Sequence, residues 1–243
     1  MKVALVTGAA KGLGLAWCRR LAAEDYQVIL TGRDESGVKK AANDLKIQAL
    51  NVHPYVLDVQ NESEIINLTE WTKQHFPHVD LLINNAGINP KDYPDKTRMA
   101  KAFYLSDLDA HEMLNVIHIN SLAPLIMVKH FRSLLLKSPH PVVLNISSWL
   151  GSVSKLSFGG HYGYVGSKNL LNVLNKSMSM ELQSEGIICI NVNPGWVRTD
   201  MGGKNGQFSA DEAVENIYRN IIVNASASHS GKFLNYDGSE HPW

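Results

Sequence analysis

Tyr164 and Lys168 stand four residues apart in Tyr164-Val165-Gly166-Ser167-Lys168. On a helix that spacing puts both side chains on one face, a turn apart. A phenol titrates at about pH 10 and is a poor proton shuttle near neutrality. A neighbouring ammonium favours the phenolate and lowers that value. Such a pair suits a general acid/base that gives a proton to a carbonyl oxygen. Tyr/Lys pairs at this spacing also arise by chance, so the spacing alone defines no site. Tyr162 is a competing phenol, but Gly166 stands where its lysine would be.

Upstream, the apolar run Val142–Ile146 ends in Ser147-Ser148. A serine at the carboxyl end of a parallel strand lies where such sheets bind ligands, and its hydroxyl can stabilise developing alkoxide charge. The same residue could simply cap a turn.

A second chemistry is written near the start. Thr7-Gly8-Ala9-Ala10-Lys11-Gly12-Leu13-Gly14 follows one apolar run and opens a helical pattern. Gly8 permits a tight turn, Gly12 a close backbone approach to a diphosphate, and Gly14 close packing of helix on strand. The helix N-terminus offers free N–H groups and a partial positive charge to phosphate. The second strand then ends in Thr31-Gly32-Arg33-Asp34. An acidic residue there would bind a ribose 2′-hydroxyl. Gly32 fills the expected slot, with Arg33 next and Lys11 within reach, which favours a 2′-phosphate and therefore NADP(H). A register slip of two would instead make Asp34 the ribose ligand.

The elements that must position these groups alternate regularly. Strands are expected at Val3–Val6, Val28–Thr31, Val52–Leu57, Leu81–Asn84, Val142–Ile146, Ile187–Val192 and Lys232–Asn235. Helices are expected at Leu13–Ala23, Gly37–Leu45, Ser63–His75, Ala110–Lys137 (as one helix or two), Tyr164–Gln183 and Ala210–Asn224. The strands are apolar on both faces, as in a parallel sheet covered by helices on each side. Strand–helix alternation predicts an α/β fold: a single doubly wound, Rossmann-type parallel sheet of about seven strands. No internal repeat or linker breaks the pattern, so residues 1–243 are expected to form one domain. Ile88–Asp109, with Pro90, Pro94 and many charges, reads as a surface excursion.

Apolar residues make up 44% of the 243 and charged residues 19%, a composition that supports a packed globular core. Lys and Arg (23) balance Asp and Glu (23), which argues against nucleic acid or an anionic membrane surface as the main partner. Cys18 and Cys189 can make neither a disulfide framework nor a zinc site and read as buried free thiols. The chain reaches Thr7-Gly8 before a secretory signal could develop, and no apolar run could span a bilayer. A cytoplasmic location is expected.

Several of these motifs occur together and in order: the glycine loop, Asp58 in Leu57-Asp58-Val59, Asn84-Asn85-Ala86-Gly87, Asn120, Ser148, Tyr164-x-x-x-Lys168 and Pro194-Gly195. As a set they resemble the short-chain dehydrogenase/reductase family, from Lys2 to about Thr199. Pro194–Gly203, with the closing Gly231–Gly238 and Pro242-Trp243, is similar to the branch of C-factor-like and sniffer-type carbonyl reductases. The resemblance implies an NADPH-dependent carbonyl reductase acting on a small molecule, with Tyr164 as general acid/base. Lys168 would lower the phenol's pKa and bind the nicotinamide ribose, Ser148 would orient the carbonyl, and Asn120 would hold a water leading to Lys168. Asp58 and Val59 would contact adenine, and Asn85, Ala86 and Gly87 would flank the adenosine. Pro194, Gly195, Val197 and Thr199 would hold the carboxamide. Alone, Asn120 would pass for an ordinary polar helix residue and Asp58 for a turn former.

Ser148 precedes Tyr164 by 16 residues, more than is usual in the family, and Gly87–Asn120 is also long. The substrate pocket is expected to draw on Trp149, Leu156, Phe158, His161 and Trp196, with a slight, permissive lid at Met201–Gly206. The apolar stripe of Tyr164–Gln183, together with Ala110–Lys137, predicts a homo-oligomer, a dimer or tetramer. A catalytically weak nucleotide-binding signalling protein of the C-factor type is the alternative. A hydrolase using Ser148 lacks the Gly-x-Ser-x-Gly elbow.

Overall fold

Strand β1 (Val3–Val6) is buried along its whole length, as an apolar run at the centre of a covered sheet must be. The computed structural model describes residues 1–243. After β1 come α1 (Gly12–Ala22), β2 (Gln27–Gly32), α2 (Glu35–Lys46), β3 (Val52–Val56), α3 (Glu62–His75) and β4 (Leu81–Asn84). A segment holding the short helix α4 (Lys96–Ala100) leads to α5 (Ala110–Ile117), a π turn (His118–Leu122) and α6 (Ala123–Leu135). Then follow β5 (Val142–Ile146), α7 (Tyr162–Glu181), β6 (Ile188–Asn193), the two-residue strands β7 (Val197–Arg198) and β8 (Phe208–Ser209), α8 (Ala210–Ile217) and β9 (Phe233–Asn235).

Seven strands form one sheet in the order β3-β2-β1-β4-β5-β6-β9, all neighbours parallel. This is the doubly wound Rossmann-type sheet the alternation predicts. The order reverses between β1 and β4, so the crevice at their carboxyl ends is the natural ligand site. Side chains alternate between two cores. Val6, Leu30 and Ile83 face α1, α2 and α8, whereas Leu5, Ile29 and Leu82 face α3, α6 and α7.

Helix boundaries shift where a cap decides them. Helix α2 starts at Glu35, not Gly37, because the Asp34 carboxylate accepts the Gly37 N–H at 2.9 Å. Ser209 and Glu212 form a capping box at the start of α8. The expected Ala110–Lys137 helix is split by the π turn. Pro124 lies in the first turn of α6 and has no N–H to give the carbonyl of Asn120, four residues back. The pair β7–β8 was not expected; two residues per strand leave no periodicity to read.

The Ile88–Asp109 segment is not a simple surface excursion. Ala102 is fully buried, and Asn89 and Pro90 are buried. The carbonyls of Phe103 and Ala102 accept the N–H groups of His161 and Gly163 at 2.7 and 2.8 Å. The segment therefore caps α7, which is why that helix begins at Tyr162 rather than Tyr164. A Cβ at Gly163 would lie 3.0 Å from that of Ala102, so the close docking needs glycine.

Candidate active site

The glycine loop leaves β1 with Gly8 at φ +63°, a left-handed turn. A Cβ there would stand 2.7 Å from Ala86 Cα, so Gly8 serves the approach of the two strand ends as well as the turn. Gly14 packs α1 against its own loop and Asn85 rather than against the strand. Gly12, also left-handed, sits against Thr199. Lys11 occupies the N-cap of α1 without a side-chain cap bond, Leu13 is half-buried behind it, and the first turn holds no acidic residue. The N–H groups that open α1 are thus left for an anion.

Beside the loop, Thr7 and Asn85 bind β1 to β4. Thr7 Oγ1 accepts the N–H groups of Asn85 and Ala86, both at 3.0 Å, and Asn85 Nδ2 donates to the carbonyls of Thr7 and Gly8 at 2.9 and 3.0 Å. At the end of β2, Arg33 is exposed, and Asp34 is engaged as the cap of α2. Lys11 does not lie free: its Nζ pairs with Asp200 at 2.6 Å, both side chains exposed. Asp58 accepts the Gln60 N–H at 3.0 Å as a turn former, and Val59 is buried next to it.

The catalytic candidates converge at the carboxyl end of β5. Ser147 turns inward and donates to Asn172 Oδ1 at 2.8 Å. Ser148 opens the turn Trp149–Gly151 and accepts the Leu150 N–H at 3.2 Å. Tyr164 is buried, its hydroxyl 4.0 Å from Met201 Sδ, whereas Tyr162 is exposed. Burial pushes the Tyr164 phenol up to about 12, against the pull of hydrogen bonding with Ser148. Lys168 Nζ donates to the Ile146 carbonyl at 2.7 Å and lies 5.8 Å from the centroid of the Tyr164 ring. Burial brings Lys168 down to about 8. The lowering of the phenol's pKa that the four-residue spacing predicts is therefore not what this geometry gives. Desolvation outweighs an ammonium whose hydrogen bond goes to a carbonyl.

Asn120 lies in the π turn, 1% exposed. Its Oδ1 accepts the Ile88 N–H at 2.8 Å, and its Nδ2 donates to the Ile88 carbonyl and Ser167 Oγ at 2.9 and 3.0 Å. Its side chain thus fixes the strand-end segment. Its backbone carbonyl receives no N–H from Pro124, four residues on. A Cβ on Gly87 would lie 3.2 Å from Asn120 Oδ1 and 3.8 Å from Lys168 Nζ, so all three share one corner.

Past β6, Pro194 leads into Gly195, whose N–H donates to Asn193 Oδ1 at 3.2 Å, and Val197 is buried in β7. Thr199 Oγ1 accepts the Gly202 N–H at 3.0 Å. Trp196 Nε1 donates to the Gly202 carbonyl at 2.7 Å. The Met201–Gly206 loop is short, as expected, and it is tied at Gly202 and, by Arg198 Nη1 donating to the Gly206 carbonyl at 2.9 Å, at its far end. Trp149 and Phe158, both partly exposed, make an edge contact at 6.1 Å near the site mouth.

The sequence reading missed a row of buried amides. Asn84, Asn145 and Asn191 pair in register across β4, β5 and β6. Asn84 Nδ2 donates to Asn145 Oδ1 at 2.8 Å, and Asn145 Nδ2 donates to Asn175 and Asn191 at 2.8 and 3.0 Å. Asn191 Nδ2 passes the chain to Asn172 at 2.8 Å. The row anchors α7 to the sheet directly beneath Ser148 and Lys168. Its signal was available: β4 and β5 each carry one asparagine near the carboxyl end, and β6 carries two, Asn191 and Asn193.

A doubly wound parallel sheet with a glycine loop at its switch point and a Tyr/Lys pair across it defines a class of nucleotide-linked enzymes. Residues 2–210 match the short chain dehydrogenase family, and the chain belongs to that family. Among its relatives, C-signal of Myxococcus xanthus is 35% identical over 68% of this chain and 93% of its own. Carbonyl reductase Sniffer of D. melanogaster superposes over all of both chains with a TM-score of 0.88 and 28% identity. The NADPH-bound carbonyl reductase from chicken fatty liver does so with 0.87 and 30%. The chain is thus an oxidoreductase-family protein for small-molecule substrates, and no helix is long and apolar enough to cross a membrane.

Proposed function

We propose that residues 1–243 form one NADP(H)-binding domain that reduces an aldehyde or ketone to the alcohol, with Tyr164 as general acid. The observation carrying this reading is the convergence of Ser148, Tyr164 and Lys168 at the end of β5, across from the uncapped start of α1.

The residues suit a 2′-phosphorylated dinucleotide. Gly8, Lys11, Gly12, Leu13 and Gly14 would hold the diphosphate at the opening of α1. Arg33, with Lys11, would meet the 2′-phosphate. The engagement of Asp34 as a helix cap speaks against its serving as a ribose ligand. Asp58 and Val59 would contact adenine; Asn85, Ala86 and Gly87 would flank the adenosine; Tyr164 and Lys168 would bind the nicotinamide ribose. Pro194, Gly195, Val197 and Thr199 would hold the carboxamide. Held by these residues, NADPH would supply hydride to a carbonyl carbon, and a similar reductase solved with NADPH supports the choice.

Ser148 would donate its hydroxyl hydrogen to the carbonyl oxygen and orient it. Tyr164 would donate its proton to that oxygen as negative charge develops. A raised phenol pKa keeps the acid protonated at neutral pH. Lys168 would stabilise the phenolate left behind, and a water on the Asn120 carbonyl would return the proton. NADPH oxidation across a panel of aldehydes, ketones, quinones and diketones tests this. Turnover that Tyr164→Phe removes is the expected result; no turnover with any member overturns it.

The relation to C-signal supports a second reading, a catalytically weak nucleotide-binding signalling protein. Tight NADPH binding without turnover on the panel would favour it. Exposed Leu114 on α5, Leu122 in the π turn and Val173 on α7 suit self-association as a dimer or tetramer. Light scattering at the monomer mass would refute that. Two buried free thiols suit a reducing compartment such as the cytoplasm.

A further inference from the structure

His161, at the N-cap of α7, adopts a left-handed backbone with φ 60° and ψ 29° and is 6% exposed. Its ring lies nearly parallel to that of Tyr164, 18° between planes and 5.3 Å between centroids. Its ring also meets that of Phe103, 4.6 Å between centroids and tilted by 32°. Nε2 is 2.6 Å from Asn89 Oδ1, an oxygen that also accepts the Lys91 N–H at 3.2 Å. Because that oxygen is an acceptor, Nε2 carries the hydrogen and the tautomer is fixed. The His161 N–H donates to the Phe103 carbonyl. Two residues of the Ile88–Asp109 segment, Asn89 and Phe103, therefore hold the imidazole, whose plane lies within 18° of that of the phenol.

We propose that His161 is the positioning residue of Tyr164: clamped by Phe103 and steered by Asn89, its ring fixes the plane of the phenol and keeps water from that face. The inference rests on Tyr164 being the general acid, and it assigns the Ile88–Asp109 segment the task of supporting the imidazole.

The physical case has two parts. A phenol that swings about its Cβ moves its hydroxyl most, and proton transfer tolerates little misplacement. A parallel ring on one side removes that freedom without using the hydroxyl. Burial also holds His161 near a pKa of about 4, so it stays neutral at working pH and adds no charge beside the acid. The groups facing Tyr164 are Lys168 from α7 itself, Ser148 from the end of β5, Met201 from the loop between β7 and β8, and Asp92, with Lys91 behind His161, from the supporting segment.

Two substitutions separate ring from backbone. Asparagine tolerates left-handed backbone but lacks the ring, and phenylalanine keeps a ring but loses the bond to Asn89. In the full-length chain, His161→Asn is expected to lose about tenfold in kcat, with the Kd for NADPH within twofold of wild type. The basic limb of its kcat profile should move to lower pH, because water reaching the phenol relieves the desolvation that raises its pKa. His161→Phe should recover most of the lost kcat. If His161→Asn is too unstable to assay, Asn89→Ala releases the imidazole while leaving α7 intact, and should lower kcat about threefold in the same pattern.

Wild-type kcat in His161→Asn overturns the inference, as does a His161→Phe no better than His161→Asn; the imidazole would then serve the backbone alone. In the fallback, an Asn89→Ala with wild-type kcat overturns it equally. Tyr164→Phe is assayed in parallel. If it keeps full turnover, the functional reading falls and takes this inference with it. If it is inactive while His161→Asn is unimpaired, this inference falls by itself.

Discussion

The two halves of the sheet are built of different material. Under the glycine loop, β1 and β2 bury hydrocarbon, with Val3–Val6 and Val28–Leu30 all at zero exposure. Under α7, β4, β5 and β6 carry Asn84, Asn145 and Asn191, joined to Asn172 and Asn175 of the helix. The difference follows from what each half presents. Phosphate is met by backbone N–H groups at a helix start, which apolar packing alone can aim. Proton transfer, as proposed for Tyr164, would be performed by side chains, whose atoms must be held in direction as well as place. Buried polar networks rigidify in that way, at the risk of a large penalty if one member is lost.

The sharpest test of this contrast removes the acid. Tyr164→Phe should lower kcat by about 10²–10⁴-fold. The Kd for NADPH should stay within about threefold of wild type, as titrated by nucleotide fluorescence. A comparable loss in both would mean that the two halves are not separable.

Next in size is the amide row. Asn145→Leu leaves Asn84, Asn175 and Asn191 short of a partner in a dry site. Each unsatisfied group costs about 1–3 kcal/mol, so urea unfolding should show a loss of about 3 kcal/mol or more. Leu30→Ala, on the hydrocarbon side, should cost about 2–5 kcal/mol as a cavity. The two differ in function. The surviving folded fraction of Asn145→Leu should have reduced kcat, and that of Leu30→Ala should not. Equal kcat in both would remove the case for the row as an aiming device.

On the phosphate side, Arg33→Asp should weaken NADPH by about 10–100-fold, the range of one charge-assisted bond, and leave NADH nearly unchanged. A wild-type preference for NADH would instead make Asp34 the ribose ligand, despite its role as a cap.

The largest part of the acid sensitivity should lie in the half that holds Tyr164. His161 binds a proton more readily unfolded, near pH 6.5, than folded, near about 4. Between those values the unfolded chain holds more protons, so stability falls as pH drops from about 6.5 toward about 4. His53 and His241 are lowered too, also mainly by burial, and add to the slope; His53 lies on β3, so a smaller part of it belongs to the other half. His161→Phe should flatten part of it, measured by chemical unfolding at pH 7 and pH 5. An unchanged slope would place the sensitivity elsewhere.

The smallest effect is expected at the Lys11–Asp200 pair. Both side chains are exposed, and such pairs contribute about 0–1 kcal/mol. Asp200→Asn should tighten NADPH by no more than about fivefold, by freeing Lys11. Weaker binding would show that Asp200 holds the loop over the cofactor.

Much of this molecule was legible in its residues because period and order survive folding. Seven apolar runs with helical patterns between them specify the sheet, Gly8 makes the left-handed turn its motif requires, and Tyr164 and Lys168 share one face of α7. What escaped had no period. The π turn depends on one missing N–H at Pro124. The start of α7 is set by two carbonyls some sixty residues upstream, at Ala102 and Phe103. The geometry of Lys168 depends on a contest between desolvation and charge that spacing cannot decide. The amide row was visible strand by strand, but only register makes three asparagines one structure.

Cys18 and Cys189 divide between the two cores, Cys18 on the α1 side and Cys189 on the α7 side. Thiols react as thiolates, and burial pushes both upward, Cys189 to about 12. Neither should be alkylated in the closed protein. Each becomes a clock for the opening of its own face. Iodoacetamide labelling followed by peptide mapping would time the two separately. Matching rates would describe a sheet that loses both layers together, and a faster Cys18 or Cys189 would name the layer that peels first.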